Sequence, residues 1–138
     1  PVNDGVYFYS QVFVGGTIQT GSIYGREVGA MSSSAYFNSN SATEFALYNY
    51  STLGNAAGEG ITINANLQNV NSTTRPCAIT GTSTYFGTTG TPHNVFFGGT
   101  LLPANRANIV NGLRFYGSAD TGGNTIASGT VKLYGLRT

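Results

Sequence analysis

Short runs of β-branched and aromatic residues, separated by clusters of Gly, Asn, Ser and Thr, recur along the whole chain. The run "VYFYSQVFV" at residues 6–14 is typical, and Gly15 and Gly16 end it as a turn requires. Residues 61–67 alternate strictly between apolar or small side chains and polar ones, which is the period of a strand with one wet face. No window carries the apolar stripe of a helix, so these runs predict an all-β fold.

Nine segments have this strand-like composition. They are residues 6–14, 22–28, 33–37, 44–50, 60–67, 76–80, 93–99, 111–118 and 129–135. Eight to nine short strands at near-regular spacing favour a single antiparallel β-sandwich, jelly-roll-like in its design. A closed up-and-down barrel is disfavoured because the connections differ widely in length. One turn of helix is expected in "LPANRAN", with Pro103 at its first position.

The last two of these segments alternate in the same way. Their apolar side chains are Leu113, Phe115, Val131 and Leu133, and the side chains facing the other way are Arg114, Tyr116, Lys132 and Tyr134. If the two segments are antiparallel neighbours, the apolar set fills the core. The other set, which mixes rings with cations, then forms either amphipathic cover or part of a contact surface.

The low charge of the chain limits the kinds of partner that it can bind. Only 8% of the 138 residues are charged and the net charge is +1, against roughly 25% charged residues in typical soluble domains. The six Lys and Arg residues are scattered singly along the chain, so we expect it to bind neither nucleic acid nor an anionic membrane surface. No apolar run is long enough to span a bilayer, and the first residues lack the pattern of a signal peptide. The length predicts one domain, residues 1–138, with residues 1–5 as a flexible N-terminal arm.

Candidate catalytic groups are few. Cys77 is the one cysteine and His93 the one histidine, and a lone Cys is more often a small buried hydrophobe than a nucleophile. The five carboxylates are Asp4, Glu27, Glu44, Glu59 and Asp120, and no two share a predicted strand. We therefore predict no catalytic residue and no enzyme.

Metal ligands are equally scarce. One His and one Cys cannot supply a zinc site, which needs three or four N or S ligands. Residues 118–124 offer oxygen atoms for calcium, but they lack the carboxylate count of an EF-hand. No Gly-rich segment precedes a helix that could hold a phosphate. We predict no metal and no cofactor.

Aromatic side chains give positive support for assembly. The 9 Tyr and 8 Phe are more than one small sandwich core readily hides, so some should lie at interfaces. The expected contact regions are the N-terminal arm and the segments 38–43 and 82–94, both taken as loops. The candidate contact residues are Val2, Tyr7, Tyr9, Tyr36, Tyr85, Phe86, Arg114, Tyr116, Lys132 and Tyr134.

Residues 108–136 resemble the closing segment of small β-sandwich modules in virion proteins of tailed bacteriophages. In that group a strand of the type "I-x-x-L/I-R-F" is followed by a loop and then by "I-A/x-S-G-T-x-x-L-Y-G". The matching residues here are Ile109, Leu113, Arg114, Phe115, Ile126, Ser128, Gly129, Thr130, Leu133, Tyr134 and Gly135. The matching residues are structural, and no binding residue is carried over from the family.

The resemblance implies a virion structural protein. Such modules act as head decoration or cement proteins when free-standing, and as fibre or tail appendage domains when fused to longer chains. Our hypothesis is a decoration protein on the capsid surface, assembled in the host cytoplasm, that binds the major capsid protein as a symmetric homo-oligomer, with a trimer favoured. The alternative is a tail-fibre, receptor-binding or carbohydrate-binding module whose partner is a host glycan.

Overall fold

The computed structural model describes residues 5–31, 36–48, 52–118, 126 and 128–135. Within these residues the chain forms nine strands and one 3-10 helix. The strands are β1 (Tyr7–Val14), β2 (Thr17–Ile18), β3 (Tyr24–Ala30), β4 (Tyr36–Ala42), β5 (Phe45–Ala46), β6 (Ile61–Gln68), β7 (Ala78–Phe86), β8 (Pro92–Leu101) and β9 (Val110–Ser118). The 3-10 helix Pro103–Asn105 confirms the predicted helical turn.

The strands form two antiparallel sheets, which confirms the predicted β-sandwich. In the four-stranded sheet β1 is central, with β9 along one edge and the short strands β2 and β5 along the other. The five-stranded sheet has the order β4-β3-β8-β7-β6. Among the described residues the chain passes from one sheet to the other after β2, β4, β5 and β8.

Side chains from both sheets meet in one hydrophobic core. Its largest members, all less than 2% exposed, are Tyr24, Tyr85, Phe45, Leu47, Leu53, Ile79, Leu101, Val6, Val12, Val28 and Val95. The hydroxyl of Tyr24 donates to the Gln19 carbonyl at 2.8 Å and accepts from the Val12 amide at 3.1 Å. This buried phenol is therefore satisfied, as a polar group in a core must be.

The register of β1 decides which of its side chains face this core. Ser10 pairs with Phe45, and the Phe45 ring packs over Gly99 of the opposite sheet. Because strand side chains alternate, Phe8 and Val12 point inward with Ser10, whereas Tyr7 and Tyr9 point outward.

Three predicted strands differ clearly in extent from those observed, and one observed strand was not predicted. The segment 76–80 continues as β7 to Phe86. The described residues 36 and 37 of the segment 33–37 begin β4, which runs five residues further. In the described part of the segment 44–50, residues 44–48, the one strand is the two-residue β5, and β2 was not predicted. The expected loops 38–43 and 82–94 consequently lie mostly in β4, β7 and β8, which is a correction.

The prediction of a final strand at residues 129–135 is wrong. Residues 128–135 form no strand, and Val131 and Leu133 are 78% and 92% exposed rather than buried. The whole of β9 pairs with β1 instead, from Tyr7 opposite Ser118 to Val14 opposite Val110. Leu113 and Phe115 still pack against the core as predicted, since β1 supplies their neighbour.

The remaining expectations on organisation concern the N-terminus and membranes. Residues 1–4 of the expected N-terminal arm lie outside the described residues. Among the described residues, no helix has the length and apolar character needed to cross a bilayer.

Candidate functional site

Four tyrosines and an arginine from three parts of the chain meet on the outward face of the four-stranded sheet. Tyr7 and Tyr9 come from β1, and Tyr116 of β9 lies directly opposite Tyr9. Tyr48 follows β5, whose Ala46 is the partner of Tyr9 on the other edge of β1. Together with Arg114 of β9 these side chains form what we call the tyrosine patch.

The rings of the tyrosine patch form one continuous cluster. Tyr7 stacks on Tyr48 with 4.8 Å between ring centroids, and Tyr9 meets Tyr48 edge-on at 5.2 Å. Tyr9 and Tyr116 are 5.7 Å apart, and the Arg114 guanidinium lies 4.5 Å from the centre of the Tyr116 ring. The distances fall in the range at which aromatic pairs and cation–π pairs attract.

Burial keeps three of the hydroxyl groups of the patch neutral. Tyr9 and Tyr48 join their hydroxyls in a hydrogen bond of 2.9 Å. Burial raises the pKa of both phenols above the ordinary value, and for Tyr48 this hydrogen bond raises the pKa further. Burial likewise raises the pKa of Tyr116 to about 12. At neutral pH Tyr9, Tyr48 and Tyr116 therefore remain phenols, next to the Arg114 guanidinium.

An ion pair borders the patch beside β5. Arg26 of β3 contacts the Glu44 carboxylate at 2.7 Å, and both side chains are largely buried. The Arg26 guanidinium also lies 5.8 Å from the Tyr9 ring and 4.9 Å from the Phe37 ring. Thr43 donates its hydroxyl to Glu44. The pair neutralises both charges and holds the edge of one sheet against the other.

The catalytic pairs considered from the sequence do not assemble. Cys77 is buried beside Leu101, at the far end of β8 from His93. Leu101 lies eight positions after His93 in the strand, which is about 26 Å at 3.3 Å per residue. The Cys77 thiol and the His93 imidazole therefore cannot share a proton. The expected burial of Cys77 is confirmed, and burial raises the pKa of its thiol to about 11.

The described carboxylates each have a separate local role. Glu27 is exposed on β3, Glu44 pairs with Arg26, and Glu59 accepts a hydrogen bond from the Ala56 amide at 2.7 Å. Asp4 and Asp120 lie outside the described residues, as does most of the candidate calcium segment 118–124. Among the described residues no three His, Cys, Asp or Glu side chains form a group that could hold a metal ion.

The tyrosine patch offers groups that can bind a partner. It presents large ring faces, phenol groups that donate and accept hydrogen bonds, and one guanidinium. These are the side chains enriched at the centre of protein interfaces.

The predicted contact residues divide into several places. Tyr7, Tyr9, Arg114 and Tyr116 come together in the patch. Tyr36 and Phe86 lie on the other sheet and are 50% and 40% exposed, whereas Lys132 and Tyr134 lie exposed in the segment 128–135. Val2 lies outside the described residues.

The prediction of Tyr85 as a contact residue is wrong. It is 1% exposed and stacks on the His93 ring at 5.0 Å, because its position in β7 points inward. It therefore belongs to the core and cannot contact a partner of the folded chain.

Tyr48 is the member of the patch that the sequence analysis did not select. Its place depends on the pairing of β5 with β1, which brings Tyr48 to Tyr9, 39 positions earlier in the chain. The one local signal is its position two residues after Ala46, which puts both on the same face of an extended segment.

No family model, curated protein or solved structure matches the chain.

Proposed function

We propose that this chain is a non-catalytic assembly protein that decorates a bacteriophage head, with the tyrosine patch as its contact with the capsid. The observation that carries the proposal is the patch itself, a cluster of four half-buried rings beside an exposed arginine. Tyr and Arg dominate the few residues that carry most of the binding energy in protein interfaces. The bacteriophage part of the proposal is supported by the resemblance of residues 108–136.

The segment 128–135 supports the same kind of function. Val131, Leu133 and Tyr134 are 78%, 92% and 83% exposed. Exposed apolar side chains in close succession mark surfaces that a partner covers. We propose that this segment contributes a second contact, to the capsid or to a neighbouring copy in a symmetric trimer.

The mechanism is mass action. A protein that binds the assembled shell and not its separated subunits stabilises the shell by about 2.7 kcal/mol per site when its concentration is 100 times its Kd. The low charge of the chain limits repulsion between copies that crowd onto one head.

Co-sedimentation with heads that lack the protein tests this proposal. We expect saturable binding of the wild-type chain, and Tyr116→Ala to weaken it by about tenfold or more, the loss typical of an aromatic hot spot. Arg114→Ala is a second variant. Because the Arg114 side chain is exposed, this substitution should leave the fold intact. Tyr36→Ala is the matched control, since it removes an exposed tyrosine from the other sheet and should bind like the wild type.

Absence of wild-type binding at any concentration would contradict the proposal. Equal binding of the wild type, Tyr116→Ala and Arg114→Ala would contradict the role of the tyrosine patch. Sedimentation velocity of the purified protein tests the oligomer, with a trimer expected.

A further inference from the structure

The outward face of the five-stranded sheet carries one row of residues that crosses all five strands. Asn64 of β6 pairs with Thr82 of β7, and Thr82 pairs with Phe96 of β8. Phe96 pairs with Gly29 of β3, and Gly29 pairs with Tyr36 of β4. Four steps of about 4.8 Å between strands make this row about 19 Å long. We call these five residues the Phe96 face.

The Phe96 ring lies on the sheet surface because Gly29 has no side chain. A Cβ at Gly29 would be 2.3 Å from Cζ, 2.5 Å from Cε2 and 3.1 Å from Cε1 of Phe96. Three consecutive ring atoms so close to this position place the ring face over the Gly29 backbone. Phe96 is nevertheless 49% exposed, so its other face is open to solvent. A glycine inside a strand is unfavourable, and here its absent side chain makes room for a flat ring.

The neighbours of the ring are neutral hydrogen-bonding groups. Thr82 and Asn64 are exposed beside it, and Thr84 donates its hydroxyl to Asn94 Oδ1 at 2.9 Å in the next row. Tyr36 is 50% exposed at the other end of the row. Threonine, asparagine and tyrosine both donate and accept hydrogen bonds, as a partner rich in hydroxyl groups requires.

The charge of this face selects against ionic partners. None of the outward side chains on the described strands β3, β4, β6, β7 and β8 is a Lys or Arg. The one carboxylate among them is Glu27, and the Tyr36 hydroxyl forms a hydrogen bond with it. An anionic polymer would find no counter-charge here.

We propose that the Phe96 face binds a neutral, extended oligosaccharide. A sugar ring presents C–H groups on its face and hydroxyl groups around its rim, which match the Phe96 ring and the surrounding Thr and Asn side chains. The described part of the sheet face is open along its length, so it accommodates a chain of sugars passing across it rather than one terminal sugar. This site is separate from the tyrosine patch, which lies on the opposite sheet.

An array of neutral and anionic hexasaccharides, followed by titration calorimetry of each hit, tests the proposal on the purified chain. We expect saturable binding to at least one neutral hexasaccharide and none to its carboxylated counterpart. Phe96→Ala, which removes the ring, should weaken binding by about tenfold or more.

Two glycine variants make the test specific for the position of the ring. Gly29→Ala introduces a Cβ that displaces the Phe96 ring from the sheet, so we expect a loss as large as that of Phe96→Ala. Gly98→Ala is the matched control on the same face, because its Cβ would meet no atom closer than 4.0 Å. It should bind within twofold of the wild type, and circular dichroism should show all three variants folded.

Three results would overturn the proposal. They are an array with no neutral hit, equal binding by the wild type and Phe96→Ala, and a preference for anionic hexasaccharides. Loss of head binding by Phe96→Ala with unchanged glycan binding would assign the face to a protein partner instead. Tyr116→Ala should keep its glycan affinity, so this inference and the capsid proposal fail or stand independently.

Discussion

At Gly99 a missing side chain lets two aromatic rings meet in the core. Phe45 packs edge-on against Tyr24, with 4.8 Å between centroids, and its ring covers Gly99. A Cβ at Gly99 would be 2.5 Å from Phe45 Cδ1 and 2.9 Å from the Gly25 carbonyl oxygen. The contact between the two sheets therefore depends on this glycine.

Gly99→Ala tests this packing. We expect it to lower the free energy of unfolding by about 1–3 kcal/mol, the usual cost of overpacking a core. Gly98→Ala is the control, because it brings the same change in unfolded-chain entropy without a clash. Urea denaturation of both variants measures the difference, and equal midpoints would show that the core accommodates the added methyl group.

Cys77 provides a second test at the scale of one residue. It is 0% exposed, and burial raises the pKa of its thiol to about 11. We expect the native protein to react with a disulfide reagent at pH 8 only as fast as it unfolds, and the urea-unfolded chain to react at once. Rapid reaction of the native protein would contradict the burial.

The same group affects stability at alkaline pH. A thiol whose pKa is raised in the folded state contributes stability fully below its unfolded pKa near 9 and loses it as the pH rises toward 11. The fall in the free energy of unfolding from pH 9 to 11 should be smaller in Cys77→Ala than in the wild type. The tyrosines with raised pKa values account for the fall that remains.

At the scale of the element, strands with one apolar face were predictable and strands with two small or polar faces were not. The β-branched and aromatic composition of β1 and the alternation in β6 and β9 placed these strands to within one residue at each end. In β7 the two inward positions between Ile79 and Tyr85 are Gly81 and Ser83. Ser83 is buried, and its hydroxyl donates a hydrogen bond of 2.7 Å to the Leu47 carbonyl. With threonines on the outward face, this half of the strand has the composition of a loop.

The segment 128–135 has the alternation of a strand but forms no strand. Its alternation matches that of β9, but alternation specifies which side chains share a face and not whether a partner strand is present. Leu133 is 92% exposed where the pattern predicted burial.

Leu133→Ser distinguishes the two interpretations of this segment. The structure predicts a change in the free energy of unfolding within about 0.5 kcal/mol, as for an exposed side chain. Leu101→Ala, at a position that is 0% exposed, is the positive control and should cost about 2–5 kcal/mol. Thermal denaturation of the two variants measures both changes. A similar loss of stability in both would contradict the structure and indicate that Leu133 is buried in a final strand.

At the scale of the whole molecule, the sandwich places two different surfaces on its two outward faces. The tyrosine patch lies on the four-stranded sheet, and the Phe96 face lies on the five-stranded sheet. The sequence predicted Tyr7, Tyr9, Arg114 and Tyr116 as contact residues, because each is an aromatic or cationic side chain on a strand. Their assembly with Tyr48 depends on which strands are neighbours, and strand order is not visible in local patterning.

The proposal that this chain decorates a bacteriophage head is tested by an image, at subnanometre resolution, of the particles from which the chain is isolated. We expect density for this chain on the outer surface of the head, with the four-stranded sheet and its tyrosine patch facing the capsid. Density for the chain at the tail or fibres alone, or its absence from the particle, would contradict the assignment as a decoration protein.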